Sequence, residues 1–354
     1  MNNHTLHEYQ GNVHIHSSYS DGTGSVFDIA ESALRVGLDF IIINDHDYMT
    51  ASLHLEDEGY YRGLLVLMGL EIGFRYHHYL AFGLKNMLKG STLKPQEVID
   101  LVNSQGGIGF LAHPFEKGMH FLEKSMAYTW NDLTVTDYTG ICIWNFSSRW
   151  KERVKTLVHG IVFLLFKSQT LKGPSRKTLS FWDSSCLKRR VVGIGGSDAH
   201  GWILKKGRFS FTPISYEFAL SSINIHIMLR NELPRGDLDK AKGLVYGALK
   251  QASLFICNDR LAPGKGFRFY YVSDKKHRLE MGEEACFQNG KLFVQSPRDC
   301  EIRFLRNGKV QDVRRGKIAT YRVDKAGVYR VEAYKRLPLF GLHPWIFSNP
   351  IYLR

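Results

Sequence analysis

Phe40-Ile41-Ile42-Ile43-Asn44-Asp45-His46-Asp47 is an apolar run that breaks without a spacer into residues able to hold a cation. A short continuous apolar run reads as a strand buried on both faces, as in a parallel sheet covered by helices. The pattern recurs. Leu65-Val66-Leu67-Met68-Gly69-Leu70 runs into Glu71, Ile108-Gly109-Phe110-Leu111-Ala112 into His113-Pro114, and Val191-Val192-Gly193-Ile194-Gly195-Gly196 into Ser197-Asp198-Ala199-His200. Upstream, His14-Ile15-His16 closes another run ahead of Asp21-Gly22. Residues two apart on a strand share a face, so both imidazoles can point at one ion. Metal-ligand residue types at the carboxyl ends of several strands are the pattern of a βα-barrel active site, where chemistry sits in the βα loops.

The ordered motifs His14-Ile15-His16-Ser17, Ser20-Asp21-Gly22, Asn44-Asp45-His46, Gly69-Leu70-Glu71, His78-Tyr79-Leu80-Ala81-Phe82-Gly83, Ala112-His113-Pro114 and Gly196-Ser197-Asp198-Ala199-His200-Gly201 resemble those of the PHP (polymerase and histidinol phosphatase) metallohydrolases. The resemblance spans roughly residues 10 to 230. Gly140-Ile141-Cys142-Ile143-Trp144-Asn145 and Phe347-Ser348-Asn349-Pro350-Ile351-Tyr352 further resemble the carbaryl-hydrolase-like branch. The resemblance implies an α/β protein with a distorted, TIM-like (β/α)7 barrel holding two or three divalent ions. His14, His16, Glu71 and Asp198 would hold the first, Glu71, His78 and His113 the second, and Asp21, His46 and His200 the third. Imidazole mixed with carboxylate suits zinc, manganese or iron, and Glu71 can bridge because a carboxylate has two oxygens. Two positions depart from the family. Asp21 stands where some relatives have His, and Asn44 replaces the usual Thr. Asp45 is open between orienting an imidazole and shaping a turn. The His-Tyr-Leu-Ala-Phe-Gly spacing favours His78 over His77 as the ligand.

Helix signals separate the strands. Ser25 and Asp28 form a capping pair ahead of Val26 to Val36, Pro95 suits a first helical position before Gln96 to Ser104, and 236–253 carries apolar residues at helical spacing. Beyond Pro263 the pattern changes to short strands at Phe267 to Val272, Gly290 to Gln295, Glu301 to Leu305, Thr320 to Val323 and Val328 to Tyr334, with turns at Asn307-Gly308 and Ala326-Gly327. The expected organisation is a barrel over 1–260 and a small immunoglobulin-like β-sandwich over 261–354.

The polar stretch Met1 to Gln10 lacks the apolar core of a secretory signal. Five cysteines without a CxxC suit a reducing, cytoplasmic setting, with the thiols as small buried side chains. The net charge is +13, and 149–190 alone carries 11 Lys and Arg against Glu152 and Asp183. This basic insertion suits an anionic small-molecule or nucleotide-like substrate, nucleic acid as substrate, or an anionic lipid surface. Its apolar run Leu157 to Phe166 is too short to span a bilayer. It is expected as a buried helix on the barrel, with a peripheral membrane contact as the rival.

The function expected is a metal-dependent hydrolase, foremost a phosphoesterase using a hydroxide that bridges the ions, with Glu71, Asp198 and His200 catalytic. Lys205, Lys206 and Arg208 follow close behind the last ligands in sequence. The rival within enzymes is an ester, carbamate or amide hydrolase. The rival from another class is an inactive nucleic-acid or membrane-surface binding module. All nine ligand positions carry competent groups, which speaks against a degenerate site.

Overall fold

The structure is a computed structural model describing residues 6–119 and 127–354, so Met1 to Thr5 of the polar amino-terminal stretch lie outside the described residues. The remainder of that stretch enters the first strand. In chain order the strands are β1 (His7–Val13), β2 (Phe40–His46), β3 (Gly59–Tyr61), β4 (Leu64–Ile72), β5 (Tyr79–Phe82), β6 (Ile108–Leu111), β7 (Gly140–Asn145) and β8 (Val192–Gly196). A hairpin of β9 (Leu204–Lys206) and β10 (Phe209–Phe211) precedes β11 (Ile223–Leu229) and β12 (Leu254–Asn258).

Pairing is parallel from β1 to β2 to β4 and again from β6 to β7 to β8. Between these halves β5 runs antiparallel to both neighbours, a departure from the all-parallel expectation. The reversal has a functional consequence: the residue before β5, His78, lies at the same end of the sheet as the residues after β4 and β6. Past the strand ends, Ser197 N donates to Val13 O at 3.2 Å, Ala199 N to His14 O at 3.3 Å, and His16 N to Ala199 O at 2.9 Å. These bonds join β8 to β1, so seven strands are hydrogen-bonded in a cycle. Gly196 permits the approach, since a Cβ there would stand 2.7 Å from Val13 O.

The helices fall as the capping signals predict. Val26–Arg35 carries the Ser25/Asp28 capping box, and Pro95–Ser104 and Leu238–Gln251 match the other two. Both helices at 95–104 and 238–251 turn their apolar stripe inward, burying Val98, Ile99 and Val102 in one and Ala241, Val245 and Leu249 in the other.

The carboxyl-terminal strands are β13 (Arg268–Ser273), β14 (Arg278–Glu280), β15 (Glu284–Ala285), β16 (Gly290–Arg306), β17 (Lys309–Val323), β18 (Gly327–Leu337), β19 (Gly341–Ser348) and β20 (Ile351–Leu353). They enclose a second hydrophobic cluster around Phe269, Phe304, Val331 and Trp345. The strands expected at Gly290 to Gln295 and Glu301 to Leu305 are one long strand, interrupted between Gln295 and Cys300 by a bulge. The bulge takes up Pro297, which cannot donate to a ladder. The Asn307-Gly308 turn is as expected, with both residues at positive φ, 52° and 75°, as a two-residue hairpin of this hand requires.

β12 pairs with β11 on one edge and β19 on the other, tying the two halves into one sheet system. Asn349 adds a polar lock, accepting from Gly193 N at 2.8 Å and donating to Gly193 O at 2.8 Å and Leu254 O at 3.1 Å. Thus the Phe347-to-Tyr352 motif anchors the chain end onto β8. Four cysteines are buried as expected, but Cys286 is exposed. The run at 157–166 also departs from expectation. The helix Leu157–Leu165 exposes Val158, Ile161, Val162 and Leu165 and buries Phe163 against Trp150, with ring centroids 5.2 Å apart. Among its described side chains Phe163 alone is buried, which makes it a surface helix.

Candidate metal centre

The nine predicted residues converge. His14, His16 and Glu71 form one group with ligand atoms close enough to share an ion, His46, Glu71 and His78 a second, His14, His113 and Asp198 a third, and His16, Asp21, His46 and His200 a fourth. Glu71 is the hub. One oxygen lies 3.1 Å from His14 Nε2, 3.2 Å from His16 Nε2 and 3.5 Å from His46 Nδ1, and the other 2.9 Å from His78 Nδ1 and 3.2 Å from His113 Nε2. Asp198 Oδ1 stands 3.5 Å from His14 Nε2 and 3.4 Å from His16 Nε2, while Asp21 Oδ2 stands 3.3 Å from His200 Nε2. The grouping differs from the expected partition, since His16 also reaches the Asp21 group, His46 also joins Glu71 and His78, and His113 groups with His14 and Asp198.

Strand geometry explains the convergence only in part. β1 ends at Val13, so His14 and His16 are not strand neighbours as the sequence pattern suggests. His14 takes φ 63°, and Ile15 bridges to Ala199 between the two imidazoles. His113 and Asp198 also adopt positive φ, 29° and 53°. Such conformations cost about 1–3 kcal/mol each for non-glycine residues and persist where the surroundings over-determine them. Here the surroundings are visible. Asn44 Oδ1 accepts from His14 N at 3.0 Å, so the residue that departs from the family's Thr holds the strained backbone.

Asp45 settles as a loop anchor. It accepts from Ser17 N at 2.8 Å, from Ser17 Oγ at 2.6 Å and from the Ser20 hydroxyl, fixing the segment that carries Asp21, and among the described residues it has no imidazole partner. His77 turns away and accepts from Asn131 N and Asp132 N, leaving His78 to face Glu71. Backbone carbonyls orient other rings. His113 Nδ1 pairs with Tyr128 O at 2.9 Å and His200 Nδ1 with Asp198 O at 2.9 Å, which turns each Nε2 toward the cluster.

Three residues escape the motif reading. Asn145, the end of β7, sets Nδ2 3.4 Å from His14 Nδ1 and 3.3 Å from Asp198 Oδ2. Its signal was present, a polar residue closing an apolar run. Glu116 lies buried with one oxygen 3.4 Å from His113 Nδ1 and accepting from Ser148 Oγ at 2.6 Å. Lys151 is buried, its Nζ 5.8 Å from the Tyr128 ring and 5.0 Å from the Trp202 ring, and those rings stand against His78 and His200. It is the member of the basic insertion that reaches the site. Arg208 is exposed, and the side chains of Lys205 and Lys206 lie outside those described. Replacing Asn145 with Ala is expected to weaken metal binding by about 10–100-fold with the fold intact, as loss of a ligand-orienting group typically does; competition with a chelating dye measures it.

Electrostatics follow from packing charges without water. Burial alone would raise the Glu71 and Asp198 carboxyls, but His14 and the other imidazoles beside them hold both well below the usual range. Burial likewise works against a charged His16 and a charged His113, yet the Asp198 and Glu71 carboxylates beside His16 push it well above its ordinary value, and Glu116 and Glu71 lift His113 to about 9. Burial depresses His46 to about 3, with the imidazoles beside it, against the raising pull of the Glu71 carboxylate.

The donor set fits divalent cations. His14 Nε2, both ring nitrogens of His16 and His46 Nδ1 are buried with no hydrogen-bond partner, although a carboxylate oxygen stands within 3.1–3.5 Å of each of the four. Such atoms point at shared space rather than at one another, which is costly unless something occupies it.

Fold and cluster together define a mixed α/β protein with a candidate multinuclear metal centre. Residues 12–139 match the family model of the PHP domain, and the chain carries a PHP domain over that stretch. Among solved structures, one similar chain is a two-domain protein containing a predicted PHP-like metal-dependent phosphoesterase from Bacteroides vulgatus, 15% identical, covering 97% of this chain and 95% of that one, with a TM-score of 0.44. Another, assigned as a metal-dependent phosphoesterase from Bifidobacterium adolescentis, is 15% identical, covers 54% of this chain and 87% of that one, and has a TM-score of 0.33. No curated protein matches the chain. Function has to be read from the site itself.

Proposed function

We propose that this protein is a metal-dependent phosphoesterase. The observation that carries the reading is the set of partnerless, buried imidazole nitrogens facing Glu71 and Asp198. His14, His16, Glu71 and Asp198 would hold one ion, Glu71, His78 and His113 a second, and Asp21, His46 and His200 a third. Zinc, manganese and iron all suit this mixture. Such cations would activate water and neutralise charge developing on a substrate oxygen. Asn145 keeps His14 and Asp198 in register, and His200, steadied through Nδ1 by Asp198 O, presents Nε2 to the Asp21 group that would hold the third ion. Lys151, held between the Tyr128 and Trp202 rings, favours an anionic phosphoryl group over a neutral ester or carbamate.

The seven-strand hydrogen-bonded cycle supports reading 1–260 as the distorted barrel, with the basic insertion at 149–190, and the second hydrophobic cluster supports an accessory all-β unit over 261–354. Free thiols suit a reducing compartment.

The test is metal-reconstituted protein assayed in parallel on phosphomonoesters, phosphodiesters and carboxyl esters. Turnover of a phosphoester is expected. Turnover of carboxyl esters alone would overturn the substrate class.

A further inference from the structure

We propose that the helix Leu157–Leu165, together with the turn at Leu339-Phe340, seats this protein on the surface of an anionic lipid bilayer. The helix has no charged residue along its length, yet most of its apolar side chains face solvent, with Val158 67% and Leu165 71% exposed. The β18–β19 turn extends the same patch. Leu339 projects fully into solvent, and the Phe340 ring stands 5.9 Å from that of Phe166. A contiguous apolar surface of this kind is unusual on a protein that meets only water.

Charge beside the patch selects the occupant. A cavity of about 220 Å³ opens at the flank of the helix, lined by Val162 and Phe163 and by Arg153, Lys155, His159 and Lys172. The one carboxylate in its wall, Glu152, is bonded to Arg149. Among the described residues neither Lys155 nor Lys172 has a carboxylate partner, and both are exposed. Burial first, then the neighbouring Arg153 and Arg149 cations, lower the Lys172 ammonium from its ordinary value against a smaller raising effect of Glu152. An apolar helix that enters the acyl boundary beside a cationic pocket at headgroup depth is the chemistry of an interfacial anchor on anionic lipid.

Two other occupants fit less well. A second copy would bring one basic insertion against another, and like charges repel. Spanning is excluded for the helices described, none of which is long and apolar enough to cross a membrane. The patch also adjoins the metal centre, because Phe163 packs on Trp150, and Trp150 shares a small cavity with Asp198, His200 and Trp202. A seated protein would therefore present that mouth near the bilayer.

The test is co-sedimentation with vesicles of phosphatidylcholine alone and of phosphatidylcholine mixed with phosphatidylglycerol. The wild type is expected to pellet with the mixed vesicles at low salt and to be released as salt rises. Val158→Ser, Leu165→Ser and Leu339→Ser combined should lower its partition by about tenfold or more, with an unchanged melting curve, since none of the three is buried. Lys155→Ser with Lys172→Ser should lower partition at low salt. The proposal is overturned if the wild type stays in the supernatant with both vesicle types, or if the triple variant partitions as before. It is equally overturned if sedimentation velocity shows a wild-type dimer that the triple variant disperses, for then a second copy covers the patch. These readouts do not depend on the proposed hydrolytic activity.

Discussion

Glu71→Gln is expected to lower phosphoesterase turnover by well over about 100-fold while the protein still folds. The substitution preserves shape but removes the one carboxylate that, among the described residues, faces His14, His16, His46, His78 and His113 together. Loss of a group that merely orients a ligand costs about 10–100-fold, so loss of a bridging ligand should exceed that range. Bound metal should fall in parallel. Turnover within about tenfold of the wild type, measured beside a normal far-ultraviolet spectrum, would show that Glu71 is not the hub.

The second large effect is on stability and lies far from the metal centre. His226 is fully buried between two carboxylates, with Nδ1 2.8 Å from Glu8 and Nε2 2.9 Å from Asp259. Glu8 also accepts from Gly266 N at 2.9 Å and Arg268 at 2.6 Å, and Asp259 from Gly264 N at 2.8 Å. The imidazolium therefore clasps β1, β11 and the chain leaving β12 to the segment that begins the carboxyl-terminal strands. His226→Gln leaves Asp259 without its cation and Glu8 with Arg268 alone, and should cost about 3–5 kcal/mol, as breaking a buried ion pair does.

The pH dependence follows from the same contacts. Burial opposes the charge on His226, but Asp259 and Glu8 raise its pKa to about 9 from an ordinary 6.5. Its contribution is then complete below about pH 6.5 and is lost as pH rises through about 9. Glu8 and Asp259 are held below their ordinary values, so their contribution is lost as pH falls through the acid range. Urea denaturation from pH 6 to 10 should show wild-type stability falling toward that of His226→Gln. A constant difference across the range would contradict the clasp.

The candidate metal centre was legible because a barrel-like sheet places the residue after each apolar run at one end, where local sequence alone identifies it. Glu71, His113, Asp198 and His200 all follow from that rule. What stayed hidden depends on distant partners. His14 leaves the strand conformation because Asn44 and the β8 closure hold it, and neither is adjacent in sequence. The antiparallel direction of β5 has no signal in four apolar residues, since period and burial look the same in either direction. Glu8 and His226 are 218 positions apart, so no window along the chain could pair them. The helix at 157–165 misled for the opposite reason, because its composition asks for burial, whereas among its described side chains Phe163 alone is buried.

Metal content after anaerobic purification and reconstitution tests the central claim most directly. Two to three equivalents of zinc, manganese or iron per chain in the wild type, falling in Glu71→Gln and Asp198→Asn, is the result predicted. Less than one equivalent in the wild type, or content unchanged in both variants, would contradict it.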